Sequence, residues 1–184
     1  MPLSRRLFCA AACAAVLAGC APQPRVVPLA DPGPYRLGTG DKLRVTVFGQ
    51  QNLSSTYAVD ASGQITMPLI GNVTAAGATT DELEKRVEVK LRNGFLRDPD
   101  VSVEVDTYRP FFILGEVQAP GQYAYVPGMT AEQAIAVGGG YSPRGLHDQV
   151  QISRNTPEGL VSQTVPSTTR IAPGDTVTVR ERWF

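Results

Sequence analysis

Leu43, Val45 and Val47 alternate with Lys42, Arg44 and Thr46, a period-two pattern that predicts a strand buried on one face. The same alternation returns at Val101, Val103 and Val105, separated by Ser102, Glu104 and Asp106. The polar face of the first strand is basic and that of the second acidic, so the two are expected to be neighbours. Between them, Val59 to Ile65 predicts a hairpin around Ser62-Gly63, with Ile65, Met67 and Leu69 continuing on its far side. Thr79 and Glu82 have capping-box spacing, and Leu83, Val87 and Leu91 place one apolar stripe on the helix that follows. Asn93-Gly94 supplies its stop.

The second half has a different rhythm. Phe111 to Leu114 is an unbroken apolar run that predicts a buried strand, stopped by Gly115. Pro120-Gly121 punctuates a turn, and Tyr123, Tyr125 and Val126 form the return strand. After the break at Pro127-Gly128, Thr130 caps a short helix from Ala131 to Val137, with Gln133 completing a second capping box. Gly138-Gly139-Gly140 ends it. Val150 to Arg154 and Leu160 to Val165 then predict a hairpin across Pro157-Glu158-Gly159, and Thr176 to Val179 a last strand. Gly174-Asp175 before that strand echoes Gly40-Asp41 before the first, an echo too short to be a full repeat. Asp41 is read as a turn residue, because its carboxylate can accept from nearby backbone amides. The fold class is α+β.

The N-terminus changes the picture. Met1 to Arg6 is a short basic start, and Leu7 to Ala18 is apolar for about a dozen residues, the length of a signal-peptide core rather than of a membrane span. Leu17-Ala18-Gly19-Cys20 matches the lipobox of bacterial lipoproteins, which places cleavage between Gly19 and Cys20 and a lipid on Cys20. Ala21 rather than Asp after it resembles signals routed to the outer membrane. Ser4-Arg5-Arg6-Leu7-Phe8 also resembles a twin-arginine signal, so the export route stays open. Cys9 and Cys13 lie in the removed segment, which excludes a disulfide or a CxxC site from the mature chain. Residues 1–19 are therefore read as signal peptide and 20–34, with five prolines after Cys20, as an extended tether. Residues 20–184 carry 15 basic and 17 acidic side chains, a formal charge of −2 that gives no footprint for nucleic acid.

Residues 35–107 resemble the polysaccharide-export domain of bacterial envelope lipoproteins. The matching residues are Gly38-x-Gly40-Asp41-x-Leu43-x-Val45-x-Val47, Val59-Asp60-x-x-Gly63, Pro68-Leu69-Ile70-Gly71, and the helix from Leu83 to Phe95 followed by Asp98-Pro99. Residues 108–184 resemble the soluble-ligand-binding β-grasp (SLBB) module through Gly115-Glu116-Val117, Pro120-Gly121, Gly128-Met129-Thr130 and Ala134 to Gly140. The resemblance implies a small mixed-sheet export domain followed by a β-grasp-like domain with a C-terminal strand. It also implies a non-enzymatic, lipid-anchored outer-membrane component facing the periplasm. Such a component forms a homo-oligomeric ring that handles polysaccharide and couples to an inner-membrane chain-length regulator (copolymerase). Gly40, Asp41, Gly63, Gly115, Glu116, Pro120, Gly121, Gly128, Gly138, Gly139, Gly174 and Asp175 are its structural motif positions.

Longer members of that family carry a C-terminal amphipathic helix that lines a pore. This sequence stops at Phe184, five residues past its last strand, so a separate outer-membrane β-barrel is expected to supply the passage. Tyr108, Tyr123, Tyr125 and Tyr141 are candidates to stack on sugars, with core or subunit contacts as the alternative. An envelope glycosidase is the competing class, and a glycan-binding lipoprotein without a transport role is a third. His147 is the one histidine, in an apparent loop without a G-x-S-x-G elbow, and scattered acids single out no carboxylate pair. No catalytic residue, metal or cofactor is therefore assigned.

Overall fold

A computed structural model describes residues 33–156 and 159–182. The expected leader with its cleavage site at Gly19, the expected acylation site Cys20, the expected tether up to residue 32, Pro157-Glu158 and Trp183-Phe184 lie outside the described residues. The architecture is α+β, with two helices and three small sheets among the described residues.

In the first half, β1 (Lys42–Val47) is the middle strand of a three-stranded sheet, between β2 (Ser55–Ala58) and β5 (Val101–Thr107), all antiparallel. Val45 opposes Val103 and Val47 opposes Val101, while the predicted charge pairing is made by Arg44 and Asp106 on the outer face. A separate hairpin joins β3 (Gln64–Met67) to β4 (Gly71–Thr74). Helix α1 (Thr80–Arg92) starts at the Thr79–Glu82 capping box and buries Leu83, Val87 and Leu91 completely. Burying such a side chain is worth roughly 1.5–3 kcal/mol. This stripe packs with Leu43, Val45, Ile65, Met67, Val73 and Val101 into one core.

In the second half, β6 (Phe111–Gly115) and β7 (Gly121–Tyr123) form a hairpin, and helix α2 (Ala131–Val137) follows from the Thr130–Gln133 capping box. β8 (Gln149–Thr156) and β9 (Gly159–Pro166) form a long hairpin. β10 (Thr176–Val179) inserts between β6 and β8, parallel to β6 and antiparallel to β8, giving the order β7-β6-β10-β8-β9. A hairpin, a helix and a strand returning parallel to the first strand make a grasp-like arrangement. Phe111, Ile113, Ala134, Ile135, Val150, Ile152, Val177 and Val179 form its core.

Three expectations are corrected. The loop at Ser62-Gly63 does not join paired strands: β2 pairs with β1, and the loop is closed by Asp60, whose carboxylate accepts from the Ser62 and Gln64 amides and the Ser62 hydroxyl. The hairpin turn falls instead at Leu69-Ile70, where Leu69 sits at φ +69° and is 60% exposed rather than on the inner face. The apolar run Phe111 to Leu114 is buried on one face only: Phe112 and Leu114 point outward at 41% and 48% exposure. The return strand ends at Tyr123, so Tyr125 and Val126 lie beyond it.

Gly40 sits at φ +94°, whereas Gly121, the first residue of β7, has no positive φ and a Cβ there would meet Tyr123 at an ordinary 3.8 Å. Gly40→Ala is accordingly expected to cost about 1 kcal/mol or more, and Gly121→Ala to be close to neutral. Thermal denaturation of the two variants checks this, and a Gly121→Ala loss equal to that of Gly40→Ala would contradict it.

Candidate functional site at the junction of the two sheets

Tyr108, Arg109 and Pro110 are all that separate β5 from β6, so the two cores meet at a short connector. Two acids, Asp41 and Asp175, are fully buried near this connector, the buried charged side chains among the described residues. A buried carboxylate is costly unless it is paired and hydrogen-bonded. Both are.

The two acids end equivalent turns. The Asp41 amide donates to the Gly38 carbonyl at 3.1 Å, and the Gly38 amide donates back to the Asp41 carboxylate at 2.8 Å. The Asp175 amide donates to Ala172 at 3.1 Å, and the Ala172 amide returns to the Asp175 carboxylate at 2.7 Å. Each turn passes through a left-handed glycine, Gly40 at φ +94° and Gly174 at φ +85°. The short Gly-Asp echo in the sequence is thus a repeated turn, in which the carboxylate caps its own loop before a core strand.

Each carboxylate also holds one arginine. Arg154, from the inner face of β8, reaches Asp175 with Nε and Nη2, both at 2.8 Å, in the planar two-bond geometry that suits guanidinium. Arg109 donates its backbone amide to Asp41 at 2.8 Å and its Nη1 at 3.2 Å. Its Nε donates to the Pro173 carbonyl of the other turn at 3.1 Å. One side chain therefore bonds both Gly-Asp turns, and so both halves. A Cβ on Gly38 would stand 2.5 Å from Arg109 Nη1, so a larger residue there would push the guanidinium out of this arrangement.

Aromatic rings complete the junction. Tyr35 donates to Asp41 at 2.6 Å, accepts from Arg109 Nη1 at 2.9 Å, and lies with its ring 5.5 Å from the guanidinium carbon. Tyr35, Tyr108 and Tyr125 follow one another edge to face, with centroids 5.0 and 5.6 Å apart. Burial, and then the hydrogen bond to the Asp41 carboxylate, push the Tyr35 phenol well above the usual tyrosine range, so it stays a donor. A cavity of about 590 Å³ opens here, lined by Tyr35, Arg36, Arg109, Tyr125, Arg154 and the 172–175 turn among others.

The remaining motif positions are dispersed. Gly63 lies against Ala76, Gly115 against Val179, and Glu116 accepts from the Ser142 hydroxyl at 2.6 Å. Pro120 is exposed before β7, Gly128 is in the turn before α2, and Gly138 and Gly139 end that helix. Of the tyrosines proposed to stack on sugars, Tyr108 and Tyr125 join the junction, Tyr123 packs near Phe111, and Tyr141 stacks with His147 at 4.3 Å. Sequence reasoning missed Arg109, Arg154 and Tyr35. The only local signal was the Gly-Asp echo, because a twice-used buried acid requires cations that the linear pattern does not locate. Chemically, Asp41 accepts four of these hydrogen bonds and Asp175 three, an arrangement that fastens the two turns.

Residues 29–106 match the family described as polysaccharide biosynthesis/export protein. The chain is 42% identical over 118 residues to the exopolysaccharide production protein ExoF of Rhizobium meliloti, covering 58% of this chain and 28% of that one. It is 27% identical over 188 residues to EpsA of Ralstonia nicotianae, an EPS I polysaccharide export outer membrane protein, covering 84% and 49% of the two chains. It is 26% identical over 123 residues to the polysialic acid transport protein KpsD of Escherichia coli, covering 65% and 22%. The chain thus spans half or less of the length of these relatives.

Proposed function

We propose that the chain is a bacterial polysaccharide export protein, a non-enzymatic component of an exopolysaccharide or capsule export machine. The match of residues 29–106 to the polysaccharide biosynthesis/export family carries this reading. The outer-membrane naming of EpsA and the lipobox Leu17 to Cys20 support a protein held by lipid at the outer membrane and facing the periplasm. The grasp-like order of β6 to β10 and the motifs around Gly115 and Gly128 support an SLBB-type second domain. On this reading residues 20–34 are the tether, 35–107 the export domain and 108–184 the β-grasp domain. Copies assemble into a ring that guides the polymer, coupled to an inner-membrane chain-length regulator.

Among the described residues no helix is long and apolar enough to cross a membrane, and the strands of both sheets commit one face to a core. The passage through the outer membrane is then supplied by a separate β-barrel, since open sheets leave backbone groups unpaired in lipid. Purified protein in planar bilayers is expected to give no conductance, and cross-linking in cells to capture an integral partner. Cys20→Ser is expected to abolish fatty-acid labelling and release the protein from membranes. Stable channels from the purified chain, or persistent labelling of the variant, would sink the corresponding part of the proposal.

A further inference from the structure

The outer faces of the two main sheets differ in kind. That of the first sheet carries Lys42, Arg44, Glu104 and Asp106, the charged dressing that keeps a solvated sheet face from pairing with others. On the second sheet, register places Gln122, Phe112, Thr176, Ser153 and Ser162 in one row across all five strands. A second row runs through Leu114, Thr178, Gln151 and Thr164. Every one of these side chains is exposed or partly exposed, and none is charged. At about 4.8 Å per strand a row extends roughly 20 Å. The flanking outward positions Gln149, Asn155, Leu160 and Pro166 add no charge either.

We propose that this uncharged face of the β7-β6-β10-β8-β9 sheet is the surface along which a neutral stretch of polysaccharide is held. The inference rests on the export reading above and names the surface and the polymer chemistry it suits. Hydroxyl and carboxamide groups offer donors and acceptors to a hydroxyl-dense chain without an ion pair. Phe112, 41% exposed on β6 between Gln122 and Thr176, offers a ring for a sugar face. Of the aromatic, Met and Arg side chains that anchor protein interfaces, the two rows hold only Phe112, which favours a polymer over a second protein copy. With no cation in either row, an acidic polymer gains no ion pair along them. Contacts of this kind are individually weak, which lets a polymer slide.

The test uses the full chain, extracted in detergent, in affinity electrophoresis through gels containing dextran as the neutral probe or alginate as the acidic one. Retardation by dextran and not by alginate is expected. It should be lost in Phe112→Ala and in a Ser153→Glu/Thr178→Glu pair whose melting temperatures match the parent. Absence of retardation in the parent, or retardation unchanged in both variants, overturns the proposal. So does an assembly that breaks into smaller species in the variants while dextran binding persists, since the face would then hold a second copy. In cells, the two readings separate. If deletion removes surface polymer and the variants restore it fully, the face is dispensable and the export role stands. If deletion leaves surface polymer unchanged, the export role itself fails.

Discussion

Asp41→Ala is expected to lower stability by about 3–5 kcal/mol, the range for removing one partner of a buried ion pair. The loss is a large fraction of the roughly 5–15 kcal/mol that holds a domain folded. Its size follows from what is stranded: the Arg109 amide and guanidinium, the Gly38 amide and the Tyr35 hydroxyl all donate to this one carboxylate. Tyr35→Phe removes the hydroxyl that donates to Asp41 and accepts from Arg109 but leaves those two paired with each other, and is expected to cost about 1.5–3 kcal/mol. Because Arg109 also bonds the Pro173 carbonyl, Asp41→Ala should loosen the second half as well as the first. Urea denaturation followed by Trp-independent signals, such as far-ultraviolet dichroism and amide exchange, reads both halves. An Asp41→Ala loss no larger than that of Tyr35→Phe would show that the junction is not a shared latch.

Gly115→Ala is expected to be as damaging, for a steric rather than an electrostatic reason. Gly115 lies at φ +83°, and a Cβ there would stand 2.1 Å from the Val179 carbonyl oxygen of the paired strand. That oxygen already accepts from the Glu116 amide at 3.0 Å, so neither strand can yield without breaking the β6–β10 ladder. Gly128 provides a matched control, at the same φ of +83° but with nothing within 4 Å of the added carbon. Gly128→Ala should show only the left-handed backbone cost, about 1–2 kcal/mol. Gly115→Ala should exceed about 4 kcal/mol, in the tail reserved for severe core disruption. Equal losses at the two positions, measured by thermal melting, would mean that β6 and β10 do not approach as closely as the geometry requires.

Much of this architecture could be read along the chain, because local signals specify it. The capping boxes at Thr79 and Thr130 satisfy orphan amides within one turn, and the Leu83, Val87, Leu91 stripe needs only helical spacing. The β1–β5 neighbourhood followed from charges on the two polar faces, realised by Arg44 and Asp106. What escaped depends on distant partners. β10 finds its place between β6 and β8 through a crossover that its own alternation cannot specify. The run Phe111 to Leu114 looked wholly buried because continuous apolarity does not say whether a second layer covers the outer face. Asp41 was correctly placed in a turn, but its burial against Arg109, 68 positions away, was not visible in the turn's own sequence. The candidate site was therefore legible as two Gly-Asp turns and not as the arginine that joins them.

A pulse of labelled sugar, followed through the envelope of cells that lack this chain, tests the export role most directly. The account predicts that polymer is still synthesised but fails to reach the cell surface and medium, and that the wild-type chain restores its appearance outside. Undiminished surface polymer in its absence, or a failure to make polymer at all with none retained inside, would contradict it.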